Sequence, residues 1–118
     1  MTVAARQLAR LWKDGTDFLG TRTAIMGGAM TWVSEHHLVS ALSNAGAFGV
    51  LACGAMTPEL LGKEIRATQA LTKQPFGVNL ITMHPQLDAL VNVCIEHGVQ
   101  HIVLAGGVPT AATIGTIK

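Results

Sequence analysis

The residues best suited to chemistry in this 118-residue chain are polar or backbone-exposing groups set at the ends of short apolar runs. Ile25-Met26-Gly27-Gly28-Ala29-Met30-Thr31-Trp32-Val33-Ser34 has this form most clearly. An apolar run ends in two glycines, small or flexible residues follow, and a helical pattern begins after Ser34. Missing side-chain bulk lets a ligand approach the main chain. Loop amides beside a helix start suit an anionic or electron-rich group. Taken alone, the Gly-Gly pair reads first as an ordinary βα loop, and only its context favours binding. Asn79 is the second candidate, a lone polar side chain in the apolar run Phe76 to Ile81. Burying a carboxamide costs free energy unless it finds a hydrogen-bond partner, in the protein or in a ligand.

The other chemistry-bearing residues read as structural. His36 and His37 are adjacent at a helix start, so their side chains are expected to diverge onto surface or packing positions. His84 reads as a loop or capping residue, His97 as a helix-end residue, and Trp32 as packing. Cys53 and Cys94 lie far apart in apolar settings, as packed reduced thiols do. No histidine pairs with cysteine at zinc spacing, so no metal site is expected. No catalytic residue is assigned.

The elements that would position these groups alternate regularly. Strands are expected at Thr23–Met26, Phe48–Ala52, Phe76–Ile81 and His101–Ala105, about 25 to 28 residues apart. Between them run helical stripes: Leu38, Val39 and Leu42 up to Asn44; Leu61, Ile65 and Thr68 up to Leu71; and Leu87, Leu90, Val91 and Cys94. Ser34 is expected to cap the first, with Glu35 in its first turn and Gly46 beyond its end. Thr57-Pro58-Glu59 starts the second, and Pro85 opens the third, which His97-Gly98 closes. A last helix begins at Thr110. An amphipathic helix over Val3–Trp12, stopped by Asp14-Gly15, precedes them all. The pattern is an α/β parallel βα repeat with right-handed crossovers. Ligands bind at the C-terminal ends of the strands in such sheets. Three strands run into Gly27-Gly28, Cys53-Gly54 and Gly106-Gly107, and the other carries Asn79.

Composition agrees. The chain is 49% hydrophobic and 13% charged, with net charge +1. That suits strands buried on both faces and gives no basic patch for nucleic acid. No apolar run is long enough for a membrane span, and Thr2 to Lys13 lacks a signal-peptide core. A cytoplasmic setting is expected.

Four motifs in one order carry a resemblance from about Thr23 onward: Gly28-Ala29-Met30-Thr31-Trp32-Val33-Ser34; Val39 to Gly46 with Phe48-Gly49-Val50; Pro75-Phe76-Gly77-Val78-Asn79-Leu80; and Ala105-Gly106-Gly107 with Pro109. They resemble the nitronate monooxygenase family, formerly 2-nitropropane dioxygenases, which includes related FMN-dependent enoyl-acyl carrier protein reductases. The resemblance implies a TIM (β/α)8 barrel with FMN at the C-terminal rim, of which this chain would hold about four strands. It implies that Ala29, Met30 and Thr31 line the flavin through main-chain contacts, and that Asn79 binds FMN through its carboxamide. Where the family usually has Gln-Gly-Gly-Met, this chain has Gly27-Gly28-Ala29-Met30.

A full barrel takes about 250 residues. The family's catalytic histidine and phosphate-binding loops would therefore fall beyond Lys118. Residues 1–118 are expected to be a partial FMN-binding domain, with 1–20 as a helical extension, not competent for catalysis alone. The expected substrate is a nitronate oxidised with O2, or alternatively an enoyl thioester. A further alternative is an inactive half-barrel that pairs with itself. An open sheet with two bare edges favours association, so a homo-oligomer or a complementary C-terminal chain is expected as partner.

Overall fold

Helix α4 (Pro58–Leu71) forms where its sequence dictates: the Thr57 hydroxyl accepts from Leu60 N–H, Pro58 occupies the first turn and Glu59 follows. It buries Leu61, Ile65 and Thr68 completely. The computed structural model describes all residues from Met1 to Lys118. The other elements, in chain order, are α1 (Val3–Leu11), α2 (Lys13–Leu19), β1 (Met26–Gly27), α3 (His36–Asn44), β2 (Phe48–Ala52), β3 (Phe76–Ile81), α5 (Leu87–Glu96), β4 (Ile102–Ala105) and α6 (Ala111–Ile117). The four strands make one parallel sheet in the order β1-β2-β3-β4. This is a run of βα units, a partial TIM barrel, as the strand spacing predicts.

The two faces of the sheet bury different clusters. Leu51, Cys53, Val78 and Leu80 point to the helices, where they pack with Val39, Leu61, Ile65, Leu90, Val91 and Cys94. Residues of opposite parity point to the other, concave face, where Phe48 and Val50 meet Leu19, with Ala29 and Val103 against them. Gly49 lets α3 lie directly on β2. A Cβ there would sit 2.5 Å from the Val39 carbonyl oxygen and 2.9 Å from its Cα.

Several boundaries differ from the expectation. Asp14-Gly15 does not stop the N-terminal helix. Trp12 ends α1 by donating its N–H to Leu8, and α2 starts at once, with Asp14 in its first turn. Gly15 belongs inside α2 because it lies against Ala24, where a Cβ would meet Ala24 Cβ at 2.9 Å. Gly20, in the left-handed region, ends α2 instead. The apolar stripe of α1 is uncovered, with Leu8 and Leu11 exposed.

The first strand is later and shorter than Thr23–Met26. Thr23 donates both its N–H and its hydroxyl to Gly46 O, and Ala47 N–H is taken by Leu42 O. Regular pairing therefore begins only at Met26 opposite Phe48. Pro85 stands before α5 rather than in it, since Leu87 N–H returns to His84 O and Gln86 N–H to His84 Nδ1.

Both cysteines are fully buried in the helix-side cluster. Burial pushes the Cys53 thiol up to about 11. It pushes Cys94 up to about 12, with Cys53 nearby adding to the rise. A folded pKa above the unfolded value stabilises below about pH 8.5–9 and is lost as pH climbs toward the folded value. The native thiols should therefore resist alkylation at pH 8 and react only on unfolding, and the urea midpoint should fall between pH 8 and pH 10.5. Mass-detected labelling and urea melts at the two pH values measure both.

Gly49→Ala should cost about 1–3 kcal/mol, because backbone cannot move aside cheaply. Gly54→Ala, with its nearest neighbour at 3.5 Å, should be close to neutral. Chemical denaturation of the two variants makes the comparison.

Candidate functional site

The loops that follow the strands meet on one rim. A Cβ on Gly54 would lie 3.6 Å from Thr31 Oγ1 and 3.5 Å from Ile81 Cγ1. A Cβ on Gly106 would lie 3.2 Å from Ile81 Cγ2, and one on Gly107 2.8 Å from Thr82 Oγ1. The β1 loop thus touches the β2 loop, which touches the end of β3, which touches the β4 loop. At Gly107 even one methyl would crowd the rim.

The loop after β1 is held by Ser34. Ser34 is 4% exposed. Its hydroxyl accepts from Met30 N–H at 2.9 Å and donates to Gly28 O at 3.4 Å. Met30 O accepts from Val33 N–H and Ser34 N–H. The main chain of Met30 is therefore used inside the turn, while the N–H and C=O groups of Ala29 and Thr31 have no partner within the chain. Trp32 adopts φ 64, a left-handed conformation that costs a non-glycine residue roughly 1–2 kcal/mol. It is 74% exposed, so it is not the packing residue its type suggests.

Ser34 does not cap α3, contrary to expectation. Glu35 does, its carboxylate accepting from His37 N–H and Leu38 N–H. Burial pushes the Glu35 carboxyl up, but the N–H groups of Leu38 and His37 outweigh it and hold it below the ordinary value. Ser34 is left free for the loop.

Asn79 sits in β3 between Ala52 and Val103. Its carbonyl accepts from Cys53 N–H at 3.1 Å. Val78 and Leu80 on either side face the helices, so the Asn79 side chain faces the concave side. Its carboxamide, half-buried, has no hydrogen-bond partner within the chain. Ala29 lies against the cluster on that same face. The structure brings Ala29, Thr31 and Asn79 to one face and one end of the sheet. Met30 joins them with a half-exposed side chain.

The opposite end of the sheet is closed differently. His101 donates its Nε2–H to Phe18 O at 2.7 Å, and its ring stands edge-on to Phe18 and Phe48. A cleft of about 370 Å³ between Gln69, Thr72, Phe76, Gly98 and His101 also lies at this end. It is remote from Ala29 and Asn79 and holds none of the expected residues.

His36 and His37 depart from expectation. Their rings lie 4.1 Å apart at 41° instead of diverging. His97 behaves as predicted, receiving its position from Val93 O at 2.9 Å and ending α5.

The profile of the nitronate monooxygenase family matches residues 13–112. A nitronate monooxygenase of Paraburkholderia phytofirmans is 42% identical over 74 residues, 62% of this chain and 20% of that protein. A (3aS,4S,5R,7aS)-5-hydroxy-7a-methyl-1-oxo-octahydro-1H-indene-4-carboxyl-CoA dehydrogenase of Mycobacterium tuberculosis is 35% identical over 91 residues, 77% of this chain and 26% of that protein. Among solved structures, FabK from Thermotoga maritima superposes with a TM-score of 0.78 at 39% identity, covering 80% of this chain and 30% of its own. The chain spans about a quarter or less of the length of the curated relatives it matches. No helix is long and apolar enough to cross a membrane. With most of its length inside the family's profile, the chain belongs to the nitronate monooxygenase family.

Proposed function

We propose that this chain forms the first part of the flavin cradle of an FMN-dependent oxidoreductase that oxidises nitronates with O2. The observation that carries the reading is the meeting of unpartnered main chain at Ala29 and Thr31 with the unpartnered Asn79 carboxamide on one concave rim. A flat heteroaromatic ring with alternating donors and acceptors along its edge satisfies all three at once. When bound, FMN supplies the electron acceptor, taking electrons from the anionic carbon of the nitronate and passing them to O2.

The chain's own residues bind and orient. Ala29 and Thr31 offer amides and carbonyls at fixed spacing, because the Ser34 hydroxyl pins the loop between them. Asn79 offers both a donor and an acceptor from a strand that is paired on both sides. Met30 lays an apolar, polarisable side chain beside the ring. Holding the ring in one pose is the chain's contribution to rate, since positioning removes orientational freedom before reaction. Residues 1–118 act as one partial barrel domain, with the helices of residues 1–20 as an extension.

A second reading, reduction of an enoyl thioester, rests on the likeness to FabK. It uses the same cradle. A small nitronate offered to the protein loaded with oxidised FMN, and a long enoyl thioester offered anaerobically to the same protein after chemical reduction of the flavin, separate the two: the first should bleach the flavin, the second should restore its colour.

FMN titrated into the protein should quench its fluorescence saturably. Asn79→Ala should weaken binding about threefold to tenfold, the worth of one lost hydrogen bond. Flavin fluorescence that the protein leaves unchanged would overturn the reading. Ser34→Ala should cost about 1 kcal/mol of stability in chemical denaturation, by leaving Met30 N–H without its acceptor. It should also weaken FMN binding, since the clamp sets the loop's shape.

A further inference from the structure

On the outer surface, where α3 and α4 lie side by side, four ligand-type side chains converge away from the concave rim. Glu35 precedes α3, His36 and His37 are its first residues, and Glu64 reaches across from α4. Glu35 Oε2 lies 3.0 Å from His37 Nδ1 and 3.4 Å from His36 Nδ1. Glu64 Oε2 lies 2.9 Å from His36 Nδ1. One ligand atom each from Glu35, His36 and His37 fall within 4.8 Å of one another.

We propose that Glu35, His36 and His37, with Glu64 beside His36, form a site for a divalent transition metal of the zinc class. The spacing fits: tetrahedral bonds of about 2.0–2.2 Å set neighbouring donors about 3.4 Å apart. The donor types fit as well. Two imidazole nitrogens and one carboxylate oxygen suit zinc, nickel or copper, whereas calcium and magnesium prefer all-oxygen sets.

Charge is the second, independent argument. Neither carboxylate has a lysine or arginine within ion-pair distance, the chain's single such pair being Lys13 with Asp17. The Glu64 side chain is 13% exposed and that of His36 is 27% exposed. Two negative charges are thus gathered around two imidazoles with no fixed cation. A dication bound by Glu35 and two neutral imidazoles, with the Glu64 charge beside His36, gives a neutral centre. Each ring would bind through Nδ1 and carry its proton on Nε2.

The ligands are also held in place beforehand. Glu35 uses its other oxygen, Oε1, to cap α3 through His37 N–H and Leu38 N–H, leaving Oε2 for the metal. Glu64 is fixed by the N–H of His36 at 3.1 Å. The two rings, tilted at 41° to each other, turn both Nδ1 atoms to the same carboxylate oxygen. Adjacent histidines on a helix ordinarily diverge, so this orientation is specific to the cluster.

The test is Zn²⁺ titrated into protein stripped with EDTA, followed by calorimetry and thermal melts. One Zn²⁺ per chain with a raised melting temperature is expected, and Ca²⁺ at the same concentration should leave the melt unchanged. His37→Gln, on a ring that is 75% exposed, keeps the fold and should weaken Zn²⁺ binding at least about tenfold. Glu64→Gln should do the same. His84→Gln, remote from the cluster, should bind as the parent does. Absence of saturable binding, or a His37→Gln variant that binds Zn²⁺ like the parent, would overturn the proposal.

Discussion

The alternation of β3 governs what this sheet can do. Val78 and Leu80 are fully buried among Leu61, Ile65, Leu90 and Val91 on the helix side. Pulling either out would expose apolar area worth about 1.5–3 kcal/mol per side chain. Because side chains in a strand alternate strictly, that burial commits Asn79 to the concave face. A slip by one residue would bury a carboxamide and expose two large apolar groups. The position of the one polar group in the sheet is therefore secured by its neighbours' hydrophobicity, and its own hydrogen bonding is left free. Gly77 supports the same arrangement, since a Cβ there would meet the Phe48 ring at 2.9 Å.

The β1 loop reaches the same rim by a different means. It has no strand ladder beyond Gly27, so hydrogen bonds to one buried serine replace sheet pairing. Ser34 ties Gly28 and Met30 together and leaves strain at Trp32. Strained backbone survives where the surroundings over-determine it. Here the determinants are the Ser34 clamp on one side and the Glu35 cap of α3 on the other. Adjacent residues thus divide two tasks that the sequence pattern would assign to one.

The sequence shows its architecture where local and tertiary signals agree. Thr57-Pro58-Glu59, the stripe through Leu61, Ile65 and Thr68, and the apolar runs at Phe48 and Phe76 are each unambiguous, and each element stands where they predict. Asn79 is visible as one polar residue in an apolar run. The departures arise where side chains or distant backbone decide. Gly15 reads as a stop unless Ala24 is known to lie against it. Ser34 and Glu35 are both competent caps, and only the loop's demand for Ser34 selects between them. Thr23 to Ile25 looks like strand, but Gly46 and Leu42 take the hydrogen bonds that the ladder would need. The convergence of His36 and His37 on Glu35 and Glu64 has no sequence signal, because Glu64 is a helix away and the ring orientations follow from tertiary placement.

The start of α3 consequently faces two ways. Toward the sheet, Ser34 sets the main chain from Gly28 to Met30. Toward solvent, Glu35, His36 and His37 gather with Glu64 and join α3 to α4. The peptide between Ser34 and Glu35 belongs to both arrangements, so the helix start cannot shift on one side without disturbing the other. Ser34 can reach Gly28 and Met30 only while its own position is fixed; Ala52 N–H of β2 holds its carbonyl at 3.1 Å, and Glu35 holds the first turn of α3 that follows. Glu64 adds to this through the N–H of His36, anchoring that turn to a helix whose apolar stripe is fully buried. The shape of the exposed rim loop is thereby referred back to the core twice, through Ala52 of β2 and through Glu64 of α4.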